Sequence, residues 1–120
     1  MDLSSQSSVK RGVEEVKGLV EKIDVLIHCA GIMVTPFEMM GDWGVGAGAG
    51  TGSGVESQFA TNFLGGWELV RGVMGLVLKG GNGGRVVLVS SSAHGMGGVR
   101  FGDVNFEVRG ICFWFVFGFV

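Results

Sequence analysis

The chain has 120 residues, of which 47% are hydrophobic, and a formal net charge of −2. This length suits one small domain with a modest core, and the apolar content excludes a disordered chain. The charges of both signs are interspersed, with no basic stripe, so we expect no nucleic-acid partner. Cys29 and Cys112 lack metal-ligand spacing, so we expect no metal site and a reducing, cytoplasmic environment.

The first periodic segment predicts an amphipathic helix over residues 5–22. Four valines recur at helical spacing, and charged residues occupy the other faces. Ser4 or Ser5 is a suitable N-cap. The valines of this core stripe are Val9, Val13, Val16 and Val20.

A strand is predicted next, over residues 24–28, because Val25, Leu26 and Ile27 are consecutive apolar residues. Such a run is typical of a parallel strand that is buried on both faces. Ala30-Gly31 ends the strand, and these small residues would let another group approach the backbone closely.

Residues 41–54 hold seven glycines and predict a flexible loop insert. The run Gly46-x-Gly48-x-Gly50 looks superficially like a phosphate-binding loop. We reject that interpretation because a dinucleotide-binding glycine motif lies between a strand and a helix, and this run follows no strand.

A second helix is predicted from Val55 to about Leu78. The glycine pair Gly65-Gly66 interrupts it and indicates close packing or a bend, because glycine is unfavourable within a helix. The predicted inner face consists of Val55, Phe59, Phe63, Val70, Val73 and Val77.

A second buried strand is predicted over residues 85–90, followed by a polar loop over residues 90–95. The alternation of helices and strands predicts an α/β fold with a parallel sheet. Ligands of such sheets bind beyond the carboxyl ends of the strands. Both Ala30-Gly31 and Ser90 to Ser92 follow a strand, so we expect them at one edge.

Three segments, in this order, resemble motifs of the short-chain dehydrogenase/reductase family. Residues 23–31 are similar to the strand that ends in Asn-Asn-Ala-Gly, residues 58–65 to the helix with the catalytic asparagine, and residues 84–91 to the strand with the catalytic serine. Residues 100–106 further resemble the retinol-dehydrogenase-like branch. The resemblance covers residues 2 to about 107 and implies a partial, incomplete Rossmann-type three-layer sandwich.

The resemblance implies catalytic roles for two residues and a small-molecule substrate. Ser91 would donate a hydrogen bond to the substrate oxygen and stabilise charge that develops there. Asn62 would hold a water in a proton relay, through an irregularity of its helix. Without the resemblance, Asn62 could be a hydrogen-bonded core residue and Ser91 a turn serine. His94 is interpreted as an ordinary loop residue.

The resemblance also implies a cofactor, NADP or NAD. Asp2 would accept a hydrogen bond from the adenine amino group, with Leu3 packed beside it. Backbone atoms would line the adenosine ribose at four positions, where His28-Cys29 replaces the usual asparagine pair. Cys29 could otherwise be a small buried residue. These four positions are His28, Cys29, Ala30 and Gly31.

The departures from the family pattern predict an inactive fragment, truncated at both ends. The family's proton donor belongs to a Tyr-x-x-x-Lys motif, and this chain has no tyrosine. The glycine-rich turn that holds the cofactor pyrophosphate would precede Asp2. We therefore expect a partial nucleotide-binding domain over residues 1–107 and an unrelated tail over residues 108–120.

The tail suggests a different function. Residues 111–120 are strongly apolar, but a membrane-spanning helix needs about 20 such residues. Phe113, Phe115, Phe117 and Phe119 alternate, and Trp114 and Val116 make the other face apolar too. The alternative hypothesis is a non-enzymatic binding or membrane-associated protein that uses this segment. The tail could also mimic a buried strand or promote aggregation.

Overall fold

A computed structural model describes residues 1–43, 54–92, 98 and 100–105. The predicted residues that lie outside these ranges are 44–53, His94 and the apolar tail. The elements are α1 Gln6–Leu19, β1 Val25–His28, β2 Met39–Met40, β3 Val55–Glu56, α2 Ser57–Phe59, a π-helix Ala60–Gly65, α3 Gly66–Val77 and β4 Arg85–Leu88.

Helix α1 begins at a serine cap, as predicted. The Ser5 side chain accepts a hydrogen bond from the Ser8 amide at 3.2 Å. The helix ends at Leu19, before the predicted residue 22, because Val20 is already extended. Of the valine stripe, Val9 and Val13 are buried, whereas Val20 is 41% exposed.

Strands β1 and β4 form a parallel pair, in which Val25 pairs with Arg85 and His28 with Leu88. Helices α1 and α3 pack together on one face of this pair. The core between them consists of Val9, Val13, Val73, Leu76 and Val77, with Leu26 and Val86 of the strands against it. This confirms a partial α/β fold with parallel strands.

The expectation that both strands are buried on both faces is wrong for the described residues. Exposure alternates along each strand, and Val25 is 49%, Ile27 64% and Val87 44% exposed. The physical reason is that α1 and α3 lie on the same face, and no described element covers the other. The described residues therefore form two layers of the predicted partial, incomplete three-layer sandwich.

The segment predicted as the second helix is not one continuous α-helix in the structure. Val55 belongs to a short antiparallel bridge between β2 and β3 rather than to the helix. The six-residue π-helix then separates α2 from α3, and the glycine pair lies at its junction with α3. The prediction that these glycines mark close packing is confirmed, because a Cβ at either one would collide with a neighbour. Those neighbours are Leu3 for Gly65 and His28 for Gly66.

The short segment before the glycine insert is docked onto the start of α1. The Asp42 carboxylate accepts hydrogen bonds from the Ser5 hydroxyl at 2.6 Å and from the Ser7 amide at 3.2 Å. Trp43 is buried, and its Nε1 donates to the Ser4 carbonyl at 2.6 Å. Residues 42 and 43 were predicted as part of the flexible loop, and that prediction is wrong because these contacts anchor them.

Candidate functional site

The parallel pairing of β1 and β4 brings two predicted site segments to one edge of the sheet. The Val89 amide donates to the His28 carbonyl at 2.9 Å, which continues the ladder just beyond the last strand residues. The segments that carry Gly31 and Ser91 therefore leave the sheet on the same side. The expectation that both segments lie at one edge is confirmed.

Asn62 is joined to the segment after β1 by a pair of hydrogen bonds. Its Oδ1 accepts from the Ile32 amide and its Nδ2 donates to the Ile32 carbonyl, each at 2.8 Å. A Cβ on Gly31 would lie 3.3 Å from the same Oδ1, so a side chain there would crowd the carboxamide. These contacts fix the orientation of the Asn62 side chain.

The helix around Asn62 is irregular, as the resemblance implied. Residues 60–65 form a π-helix, a rare geometry that is frequent at functional sites. In the structure, Asn62 is therefore held by hydrogen bonds and lies within an irregular stretch of helix. The role of Asn62 in holding a water stays a prediction.

His28 occupies space that a glycine on the facing helix leaves free. A Cβ on Gly66 would lie 2.5 Å from the His28 Nε2 atom. Partial burial of the imidazole lowers the pKa of His28, because burial disfavours the charged form. The ring lines a small cavity of about 70 Å³ beside Asn62, Trp67 and Leu88. This volume is far below the 300–1,000 Å³ or so of ordinary ligand pockets.

The three residues after His28 are exposed and lie just past the end of β1, at the sheet edge. These residues are Cys29, Ala30 and Gly31. Cys29 has a free, exposed thiol, so the interpretation of Cys29 as a small buried residue is wrong. The chain has already left β1 at this point, and the residue is outside the packed face of the sheet.

The amino-terminal residues lie against the same helix junction. Asp2 is exposed, and its Oδ1 accepts from the Ser4 amide at 2.9 Å and the Ser4 hydroxyl at 2.8 Å. Leu3 is half-buried, with its carbonyl against Gly65. Leu3 and His28 thus contact adjacent glycines, three and four residues after Asn62.

Ser91 is half-buried and lies three residues after the end of β4. The structure describes Ser91 and Ser92 but not residues 93–97. Ser91 is therefore at the predicted edge of the sheet. Its hydrogen bond to a substrate stays a prediction.

Sequence reasoning missed Glu56, whose side chain is fully buried at the start of α2. Its carboxylate accepts from the Gln58 and Phe59 amides, each at 2.9 Å, and from the Ser57 hydroxyl at 3.0 Å. Its amide donates to Asn105 Oδ1 at 3.1 Å. Glu56 thereby fixes the beginning of the helical segment that carries Asn62. An acidic residue at the second position of the predicted helix was the available signal.

The described residues fit the adenosine half of a dinucleotide better than its pyrophosphate. Asp2 is an exposed acceptor, and the exposed residues 29–31 could contact a sugar through their backbone. Helix N-termini ordinarily bind phosphate. Here the Glu56 carboxylate already accepts a hydrogen bond from an amide at the start of α2, and the Asp42 carboxylate accepts one from an amide at the start of α1. No group of acidic, histidine or cysteine side chains within the described ranges could hold a metal ion.

Comparisons with known proteins agree with this arrangement. The family model for short chain dehydrogenase matches residues 1–102. Human retinol dehydrogenase 14 is 35% identical over 107 residues, which cover 89% of this chain and 28% of that protein. Oxidoreductase fscI of Fusarium equiseti is 32% identical over 109 residues, which cover 88% of this chain and 38% of that protein.

A solved structure shows the same fold. The crystal structure of an uncharacterized protein from Mycobacterium paratuberculosis matches 91% of this chain and 33% of its own, with a TM-score of 0.67 and 34% identity. The present chain thus spans about a third of the length of these relatives. The matched motifs, their order and their shared sheet edge lead to one conclusion: the chain belongs to the short-chain dehydrogenase/reductase family, in its retinol-dehydrogenase-like branch.

Proposed function

We propose that residues 1–107 supply the adenosine-binding edge and part of the catalytic edge of an oxidoreductase that uses NADP or NAD. The substrate would be a small carbonyl compound or alcohol. The observation that carries the proposal is the parallel pairing of β1 and β4, because it gives Gly31 and Ser91 a common edge. The retinol dehydrogenase and oxidoreductase names of the relatives support this class of reaction.

Each predicted site residue has one part in this proposal. The Asp2 carboxylate would accept from the adenine amino group, with Leu3 beside it. Backbone atoms of residues 28–31 would contact the ribose. When bound, the cofactor supplies the hydride chemistry, and Ser91 would donate a hydrogen bond to the oxygen at which charge develops. The Asn62 carboxamide would order a water near that edge.

The 120 residues alone would not complete the reaction. They contain no tyrosine, and the family's proton donor is a tyrosine. A positioned acid or base contributes roughly 10²–10⁴-fold to rate. The acidic caps on α1 and α2 would also repel a pyrophosphate at those helix starts. We therefore propose weak nucleotide binding and no turnover for this chain by itself, with a cytoplasmic location.

Nucleotide titration followed by NMR tests the binding proposal. The 120-residue chain is titrated with NADP, NAD and AMP, and amide shifts are followed. We expect saturable shifts at residues 29–31, weakened at least threefold by Asp2→Asn. Asp24→Asn is the matched control, because Asp24 precedes β1 at the opposite end of the strand.

The binding proposal and the proposed inactivity are contradicted by different results. Shifts that are absent at residues 29–31, or equally weakened by Asp24→Asn, would remove the adenosine site. A separate assay measures NADPH oxidation with an aldehyde. Turnover by the purified chain would contradict the proposed inactivity while leaving the binding site intact.

A further inference from the structure

The amino-terminal turn that carries Asp2 is hydrogen-bonded to Trp43, a residue distant in the sequence. The Trp43 Nε1 donates to the Ser4 carbonyl at 2.6 Å. The Ser4 amide and hydroxyl in turn donate to Asp2 Oδ1, at 2.9 Å and 2.8 Å. Ser4 therefore connects the Trp43 indole with the carboxylate that is proposed to contact adenine.

The contacts of Asp2 orient its carboxylate and leave one of its two oxygens available. Both bonds from Ser4 end on Oδ1, and within the described residues no hydrogen bond reaches Oδ2. The Asp2 amide donates to Ser8 Oγ at 2.9 Å, which fixes the backbone of this residue to α1. Because Asp2 is exposed, Oδ2 is left as an acceptor for a ligand amino group.

Trp43 is itself held in a fixed position. It is 5% exposed and belongs to a small hydrophobic core with Val55 and Ala60. Ala60 begins the π-helix that carries Asn62, so this core lies against the helix of the predicted catalytic asparagine. The preceding residue, Asp42, is anchored to the start of α1 by its own hydrogen bonds. Because side chains in a packed core keep one rotamer, the indole N–H is a fixed donor to the Ser4 carbonyl.

We propose that Trp43 is a positioning residue of the proposed adenosine site. It acts through Ser4, whose amide and hydroxyl orient the Asp2 carboxylate toward the adenine amino group. This inference rests on the proposed function, because it requires that Asp2 accept a hydrogen bond from adenine. Trp43 lies in the segment 41–54, which none of the motifs that resemble the family includes. The inference therefore gives this segment a role in nucleotide recognition.

Two nucleotides that differ at one group of the base test the proposal on the full chain. AMP has an amino group where inosine monophosphate has a carbonyl oxygen, so only AMP can donate to Asp2 at that position. Both nucleotides are titrated, and the amide shifts of residues 29–31 are followed by NMR. We expect the unchanged chain to bind AMP more tightly by roughly threefold or more, the effect of one hydrogen bond. Trp43→Phe keeps an aromatic ring in the core but lacks the N–H donor, so it should remove most of this preference.

A packing control and a measurement on the unchanged chain accompany this variant. Met40→Ala is the matched control, because Met40 packs against the same core, whereas the Ser4 carbonyl bond comes from Trp43. Circular dichroism checks that both variants fold, and Met40→Ala should keep the preference for AMP. In the unchanged chain, the indole N–H resonance of Trp43 should shift on titration with AMP and shift less with inosine monophosphate.

The outcomes distinguish this inference from the proposed function. An unchanged chain that binds both nucleotides equally would contradict the contact between Asp2 and adenine, and with it the inference. A preference for AMP that Asp2→Asn abolishes and Trp43→Phe preserves would overturn the inference alone. An equal loss of the preference in Met40→Ala would assign the effect to core packing and would also overturn the inference. An indole resonance that AMP does not move would overturn it even if Trp43→Phe failed to fold.

Discussion

The Asn62 carboxamide and the Ile32 peptide group form a two-way hydrogen-bonded pair, with both bonds 2.8 Å long. This pair joins the π-helix to the segment that follows β1. It orients the one side chain on the helix for which the family resemblance implies a role. The pair also holds that segment near the sheet edge where Ser91 lies.

Replacement of Asn62 by alanine should destabilise the fold. Two backbone groups of Ile32 would lose their partners, which we expect to cost about 1–3 kcal/mol in the free energy of unfolding. Urea denaturation measures this difference. Thr61→Val is the neighbouring control, because the buried Thr61 hydroxyl has no hydrogen-bond partner among the described residues. An Asn62→Ala variant as stable as Thr61→Val would show that the pair is unimportant for stability.

The glycine at the end of the π-helix should not tolerate a side chain. A Cβ on Gly65 would overlap the Leu3 backbone carbonyl, which cannot move aside like a flexible side chain. We expect Gly65→Ala to destabilise the protein by about 1–3 kcal/mol, as overpacking does. Gly75→Ala is the control, because a Cβ there meets no atom of the described part of the chain within 4 Å. The Gly75→Ala control should leave stability unchanged or increase it by up to about 1 kcal/mol. The melting temperatures of the two variants measure the difference. Equal melting temperatures would contradict the close contact.

His28 should make stability depend on pH in the mildly acidic range. Burial lowers the pKa of His28 in the folded state, so the unfolded chain binds its proton more readily. The stability linked to His28 is present above its ordinary pKa of about 6.5 and is lost as the pH falls through the lower folded value. Urea denaturation at pH 7.5 and 5.5 should therefore show a decrease that is smaller in His28→Asn. If the variant lost as much stability between pH 7.5 and 5.5 as the unchanged protein, other titrating groups would cause the pH dependence.

Asp42 should make the stability of the fold depend on pH in a second, more acidic range. Its hydrogen bond from the Ser5 hydroxyl, together with those from Ser7, lowers the pKa of the carboxyl group. The contribution is present above the ordinary value of 3.8 and is lost as the pH falls through the folded value. Asp42→Asn should reduce stability at pH 7 and make little difference near pH 2. Because Asp42 is exposed, we expect a small effect. A larger loss near pH 2 than at pH 7 would contradict the hydrogen-bond assignment.

Local sequence patterns predicted the helices and strands well, but they did not predict which residues pack against those elements. The valine spacing predicted α1, and the apolar runs predicted β1 and β4 within one or two residues. The glycine pair correctly indicated a close contact, but sequence could not show that its neighbours are Leu3 and His28. That information depends on tertiary packing. For the same reason, the strand runs predicted burial on two faces, although the described chain covers only one.

The site was predicted through motifs rather than through spacing. Asn62 and the segments before Gly31 and Ser91 were found because three motifs occur in order. Glu56 was missed because a buried carboxylate that caps a helix has the same sequence appearance as a surface one. The docking of Asp42 and Trp43 was missed because the neighbouring glycines indicated a flexible loop.

The shared edge of β1 and β4 is the claim on which the proposed function depends. Long-range HNCO spectra of the labelled chain detect hydrogen bonds through the scalar coupling between the amide nitrogen and the carbonyl carbon. We predict a correlation between the Val89 amide and the His28 carbonyl, which are 2.9 Å apart, and another between the Arg85 amide and the Asp24 carbonyl. A correlation that pairs Val89 with Asp24 instead would make the strands antiparallel. It would place Gly31 and Ser91 at opposite ends of the sheet and contradict the account.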